Sequence, residues 1–221
     1  MEKFYLLLFK QLDNLFFLDD EERLIINESM DEINERFLYN CSHLRNKYYS
    51  DLSKISPYHS CQYTMFLYFT ANTIFKKYQK RLEICDKIYN LQKMLSGADI
   101  YYEIDLPEIF MFDHPVGTVL GRAEYGNYFS FSQGCTVGNN KGIYPTFGDF
   151  VILMSNAKVL GDCNIGNNVI ISANTYIKDT NIPSNSMVFA GQNGKVIIRP
   201  INDDIVKLFF DETFIMSGEA K

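Results

Sequence analysis

The first 96 residues contain no glycine and a single proline, Pro57. Both residue types are costly inside a helix, so their absence predicts that this stretch is helical and that the architecture changes near Gly97. Long apolar runs are also missing: the longest, Tyr5 to Phe9 and Met65 to Phe69, fall far short of the roughly 20 residues a membrane span needs. No extended apolar segment with a small-residue cleavage site opens the chain, and Asp13, Asp19 and Asp20 follow soon, so a cytoplasmic protein is expected. Basic charge is in short supply. With 21 Lys and Arg against 27 Asp and Glu the formal net charge is -6, which repels an extended phosphate backbone and argues against nucleic acid as a partner. The one basic run, Lys76, Lys77, Lys80 and Arg81, has the spacing of the wet side of a helix. The cysteines (Cys41, Cys61, Cys85, Cys135, Cys163) are odd in number and lack any close-paired spacing. That argues against both a disulfide framework and a zinc site and predicts reduced, mostly buried thiols.

What the chain does have is the composition of a folded protein, with 47% hydrophobic and 22% charged residues over 221 positions. In the first half, Phe4, Leu8, Leu12 and Leu15, then Ile26, Met30, Ile33 and Phe37, follow helical steps. So do Leu67, Ala71, Ile74 and Tyr78, and Ile84, Ile88, Leu91 and Leu95, each set forming one apolar stripe. Ser56-Pro57 reads as a helix start, with Ser as N-cap and Pro in the first helical position. The Tyr and Phe residues on these stripes read as packing.

From Val119 onward the period is six. One run places Val119, Tyr125, Phe131, Val137 and Ile143 at a common phase, and a second places Phe147, Leu153, Val159, Ile165, Ile171 and Ile177 at another. Glycine often follows the apolar residue (Gly126, Gly138, Gly148, Gly166), and the fifth position is often small or β-branched. This is neither a helical nor a simple strand period but that of a parallel β-helix of hexapeptide repeats, three hexads to a triangular coil. The phase slips between Ile143 and Phe147, so Asn139 to Thr146 reads as a loop extruded from the coil, a favoured place for substrate contacts. The expected fold is α+β: a helical domain over residues 1–98, a β-helix over 99–200, and a tail with a short helix over 201–221.

From Ser56 to about Val196 the sequence resembles bacterial serine O-acetyltransferases, and more loosely the related enzymes that acetylate sugars of surface polysaccharides. The resemblance is carried by Ser56-Pro57 with Phe66-Leu67-Tyr68-Phe69, by Phe112-Asp113-His114 with Gly117, and by Gln133 with Thr136-Val137-Gly138. It continues through Asn156-Ala157-Lys158-Val159-Leu160-Gly161 and Pro183 to Ala190-Gly191. It implies a left-handed β-helix, an exception to the usual crossover hand. It also implies that His114, in an Asp-His pair with Asp113, takes the proton from an acceptor hydroxyl as that oxygen attacks the thioester of acetyl-CoA. An imidazole titrating near 6.5 suits this work, worth on the order of 10²- to 10⁴-fold in rate. The acid that orients this His in the family falls nearest Glu103, with about four fewer residues before His114 than the family has; Asp105 is the other choice. His43 lies in a helical context and His59 in an expected loop, so neither is singled out.

The departures concern the acceptor. Where serine acetyltransferases carry an Arg-His pair before a Pro, this chain reads Ile143-Tyr144-Pro145, and the Asp of their Asp-Pro motif is Ser56. Charged groups of an amino acid need partners in a semi-enclosed site. A neutral polyol needs hydroxyls and amides, which Tyr144, Asn139, Asn140 and Thr146 offer together with Asp113, with Ser56 also expected on the acceptor side, so a sugar hydroxyl is expected, with serine or the amine of an amino sugar as alternatives. For acetyl-CoA, the resemblance implies the coil turns Gly138-Asn139, Ser155-Asn156 and Ser172-Ala173, with Lys158, Lys178 and Lys195 toward the phosphates. It also implies a homotrimer with sites between chains, and a possible dimer of trimers. A γ-type carbonic anhydrase site needs three histidines on the coils and only His114 lies there, so no metal is expected. A non-catalytic trimeric assembly module is the remaining alternative.

Overall fold

A computed structural model describes residues 1–49, 51–202 and 209–210. Four α-helices come first: α1 (Glu2–Leu15), α2 (Asp20–Ser42), α3 (Ser60–Tyr78) and α4 (Glu83–Ser96). Asp19 and Glu22 form a reciprocal capping box at the start of α2: the Asp19 side chain accepts from the Glu22 amide at 2.8 Å, and Glu22 accepts from the Asp19 amide at 3.1 Å. Gly97 ends α4 in the left-handed conformation (φ +67°), which is why the glycine-free stretch stops there.

Two expectations about the helices are corrected. Ser56-Pro57 lies in a turn before α3, and His59 is the N-cap: the Ser56 hydroxyl is used locally, accepting from the Tyr58 amide at 3.2 Å. Nor does α3 carry one stripe; every residue from Cys61 to Ile74 is buried, because α2, α4 and the β-helix cover it on all sides. Stripe ends reach solvent, with Leu15 48% and Leu95 49% exposed. In the basic run, Lys76 and Lys77 sit in the last turn of α3, while Lys80 and Arg81 lie beyond its end. All five cysteines are free and buried.

Short strands follow: β1 (Asp99–Ile100), β2 (Phe110–Phe112), β3 (Val119–Leu120), β4 (Phe129–Phe131), β5 (Thr136–Gly138), β6 (Thr146–Phe147) and β7 (Val151–Leu153). They continue with β8 (Lys158–Leu160), β9 (Asn164–Ile165), β10 (Val169–Ile171), β11 (Tyr176–Lys178), β12 (Ser186–Ala190) and β13 (Val196–Pro200). They stack into three faces of a triangular solenoid. One face runs β1-β3-β5-β8-β11, the second β13-β12-β10-β7-β4-β2, and the third β6-β9, all parallel except for the β12–β13 hairpin. The predicted parallel β-helix is therefore present.

Register shows where the hexapeptide phase holds. Val159 pairs with Ile177 and Leu153 with Ile171, 18 residues on in both cases, which is three hexads. Val137 pairs with Val159 and Phe131 with Leu153, 22 residues on, so one coil carries four extra residues. Those extra residues form a tight turn in which Asn140 and Ile143 exchange both backbone bonds at 3.0 Å and Lys141 and Gly142 take positive φ. The expected extruded loop is thus a compact hairpin, and Ile143 does not face the core; it is 50% exposed. At the other end Val119 is 43% exposed, and Leu120 takes the inward place, pairing with Ile100 below and Val137 above.

The glycines after the inward residues have a steric reason. A Cβ on Gly126 would stand 2.4 Å from the Gly148 carbonyl, and one on Gly166 2.5 Å from the Ser184 amide nitrogen, because coil backbones close upon each other there. The two halves share one apolar core. Asn40 of α2 donates to Met65 Sδ at 2.9 Å and accepts from the Phe110 amide at 2.8 Å. The Tyr68 hydroxyl of α3 donates to the Ile104 carbonyl at 2.8 Å and accepts from the Leu106 amide at 2.9 Å. The β-helix thus begins against the helices with its backbone polar groups satisfied by helical side chains. Of the expected C-terminal helix, residues 203–208 and 211–221 lie outside the described residues; Phe209 and Phe210 dock against Leu44 and Arg45.

Candidate active site

His114 stands on an irregular corner. Phe112 to Val119 takes seven residues, whereas the stacked corners Phe131 to Thr136, Leu153 to Lys158 and Ile171 to Tyr176 take five each. Two residues are therefore pushed out of the lowest corner, and His114 occupies the bulge with φ +48°. A non-glycine residue in this region is held against its preference, as is common where a side chain has work to do. Its side chain is 78% exposed, and Nε2 lies 3.5 Å from Asp113 Oδ1.

Facing this bulge is a cavity of about 610 Å³ between the coil and the helical domain. Asp113, His114, Met111 and Phe112 form its coil side; Tyr48, Tyr49, Tyr58, His59, Ser60 and Cys61 form the helical side, and Arg45, Asn46, Lys47 and Phe209 also line it. Burial lowers the His59 pKa and raises that of Cys61, so the ring is neutral and the thiol protonated at neutral pH.

The other sequence-derived site residues do not converge on this cavity within one chain. Glu103 is held by Arg81 and, at 3.3 Å, by Arg122; the Arg81 bond keeps its carboxyl below the usual range. Asp105 pairs with Lys76 at 2.5 Å. Among the described residues neither touches His114, whose ion-pair partner is Asp113. Ser56 is not among the residues that line the cavity; its amide donates to Gln62 Oε1 at 2.8 Å. Ser155, Asn156 and Ala173 stack above the His114 corner, where Asn156 donates to Asn174 at 3.3 Å. Gly138, Asn139 and Lys178 lie at the opposite end of the same face, with Tyr144 on the hairpin beyond. A three-residue strand, about 10 Å, separates these edges. Lys158 opens β8 at the same edge as the His114 corner, and Lys195 stands exposed before β13.

The sequence from Tyr144 to Asp179 matches the family model described as bacterial transferase hexapeptide (six repeats). A serine acetyltransferase of Synechococcus elongatus is 34% identical over 128 residues, covering 55% of this chain and 52% of that protein. Serine acetyltransferase isoform 3 of Entamoeba histolytica, solved with cysteine, superposes with a TM-score of 0.64 at 26% identity over 83% of this chain and 66% of that one. The chain thus carries hexapeptide repeats and is similar to serine acetyltransferases. A serine acetyltransferase solved with CoA has the same fold (TM-score 0.63, 21% identity, 79% of this chain and 75% of that one). The hexapeptide-repeat chain spans about half the length of the curated relative it matches. Among the described residues no helix is long and apolar enough to cross a membrane.

His59 is the residue that sequence reasoning missed. The sequence pattern places it in a loop, but it caps α3 and faces the same cavity as His114. Only the fold brings positions 59 and 114 together; the local signal would have been a cap three residues before Gln62, hidden by the more conventional Ser56-Pro57.

Proposed function

We propose that the protein is an acetyl-CoA-dependent O-acetyltransferase in which His114 acts as general base. The single observation that carries this reading is the Asp113-His114 bulge, presented toward a cavity on a hexapeptide β-helix. His114 accepts the proton of an acceptor hydroxyl as its oxygen bonds to the thioester carbonyl carbon. The tetrahedral intermediate collapses with loss of the CoA thiolate, and the imidazolium returns the proton to sulfur, leaving an O-acetyl ester and free CoA. Asp113 offsets the charge that the ring carries during the step.

Serine is the acceptor that the relatives' names favour, and they lend no support to the sugar hydroxyl expected from Ile143-Tyr144 and Ser56. The size and aromatic lining of the cavity (Tyr48, Tyr49, Tyr58) keep a sugar as a second reading. Acetyl-CoA would lie along the face bearing Lys158 and Lys178. A second copy would bring its Asn139-Tyr144 edge to the His114 corner of the first, which is why we favour a trimer with shared sites. A cytoplasmic location fits this reading. The test is release of thiol from acetyl-CoA with serine and, in parallel, with nucleotide sugars and polysaccharides: rapid turnover with serine alone excludes the sugar, and no acetyl-CoA turnover with any acceptor rejects the proposal.

A further inference from the structure

The cavity holds a second imidazole that the mechanism above does not use. His59 Nδ1 accepts from the Gln62 amide at 3.5 Å as the N-cap of α3. A ring nitrogen that accepts a hydrogen bond carries no proton, so the neutral ring bears its hydrogen on Nε2. Burial favours that neutral form, and the ring lines the same cavity as Asp113 and His114. Tyr48 and Tyr49 hold the ring at centroid distances of 4.9 and 6.3 Å. Among the described residues Nε2 has no hydrogen-bond partner.

We propose that His59 is an acceptor-binding residue, donating from Nε2–H to a second oxygen of the acceptor while His114 takes the proton of the reacting hydroxyl. The proposal rests on the acyl-transfer reading and deepens it: the acceptor carries, besides its nucleophilic hydroxyl, a nearby oxygen that accepts a hydrogen bond. The carboxylate of a hydroxy amino acid and the neighbouring hydroxyl of a sugar both meet that description. A neutral donor serves either, whereas a fixed cation would select the carboxylate.

The protein offers a clean separation of cap from contact. Serine is a good N-cap, so His59→Ser keeps the start of α3 and removes the ring, and His59→Asn keeps both a cap and a donor. Initial rates of thiol release are measured for the full chain against acceptor and against acetyl-CoA, with serine in one arm and a sugar panel in the other. Expected is a rise of at least about tenfold in the acceptor KM of His59→Ser with an unchanged acetyl-CoA KM and melting temperature, and partial recovery in His59→Asn. An acceptor KM unchanged in His59→Ser, or both KM values moving together with a lower melting temperature, overturns the proposal and leaves His59 a helix cap. If the unsubstituted protein turns over no acceptor, the acyl-transfer reading fails and this proposal falls with it. A functioning enzyme indifferent to His59→Ser sinks this proposal alone.

Discussion

His114 combines three properties that separate it from the other two histidines: a corner two residues longer than those stacked on it, a backbone at φ +48°, and an exposed ring beside Asp113. Asparagine tolerates positive φ, so His114→Asn preserves the corner while removing the base. Its kcat with a hydroxyl acceptor is expected to fall by several hundredfold with no loss of melting temperature. A loss of about tenfold or less in the same assay identifies an amine acceptor instead, since a neutral amine attacks without prior deprotonation.

At the scale of elements, stability concentrates where chain segments meet closely. Gly126→Ala puts a methyl group 2.4 Å from the Gly148 carbonyl, backbone against backbone, so neither side yields without moving a coil. Overpacking of this kind costs about 1–3 kcal/mol and will register as a lower midpoint in urea. The capping box of α2 is a local device, and Asp19→Ala removes the side-chain bond to the Glu22 amide while the residue 19 amide can still donate to Glu22. The expected loss is about 1 kcal/mol, or roughly 2–4 °C in a protein of this size by thermal melt. Glu103 ties the turn after β1 to Arg81 and Arg122. Because the Arg81 bond depresses its carboxyl below the unfolded value of about 4.3, its contribution is present above that pH and is lost as pH falls through the folded value. Glu103→Gln should therefore lower stability at pH 7, measured by urea unfolding, and flatten the acid limb below about pH 4.3, the difference from the unsubstituted protein closing as pH falls.

At the scale of the molecule, His114 and the Asn139-Tyr144 edge stand on opposite sides of one face, so a site using both needs two chains. On the proposed reading, sedimentation equilibrium will give a mass about three times 25.6 kDa. Tyr144→Ala, distant from His114 within its own chain, will then lower activity while leaving the trimer and its melting temperature intact. A monomer with full activity would reject shared sites.

The amino-acid sequence by itself determined the class of architecture. Helices need residues that tolerate the helical backbone, and the glycine-free first 96 residues supply them; stacked coils need an inward apolar residue every six positions, and Phe147 to Ile177 supply those. Buried columns such as Val137, Val159 and Ile177 were legible for that reason, and so was His114 through its Asp-His context. What the tertiary structure alone decided depends on contacts between distant segments. Strand register put Leu120 rather than Val119 in the inward place, and a two-residue turn carried Ile143 out to solvent. Burial on every side overrode the stripe of α3, and two arginines claimed Glu103. His59 became part of the site because α3 starts against the His114 corner, a meeting across 55 residues of chain that no local pattern encodes.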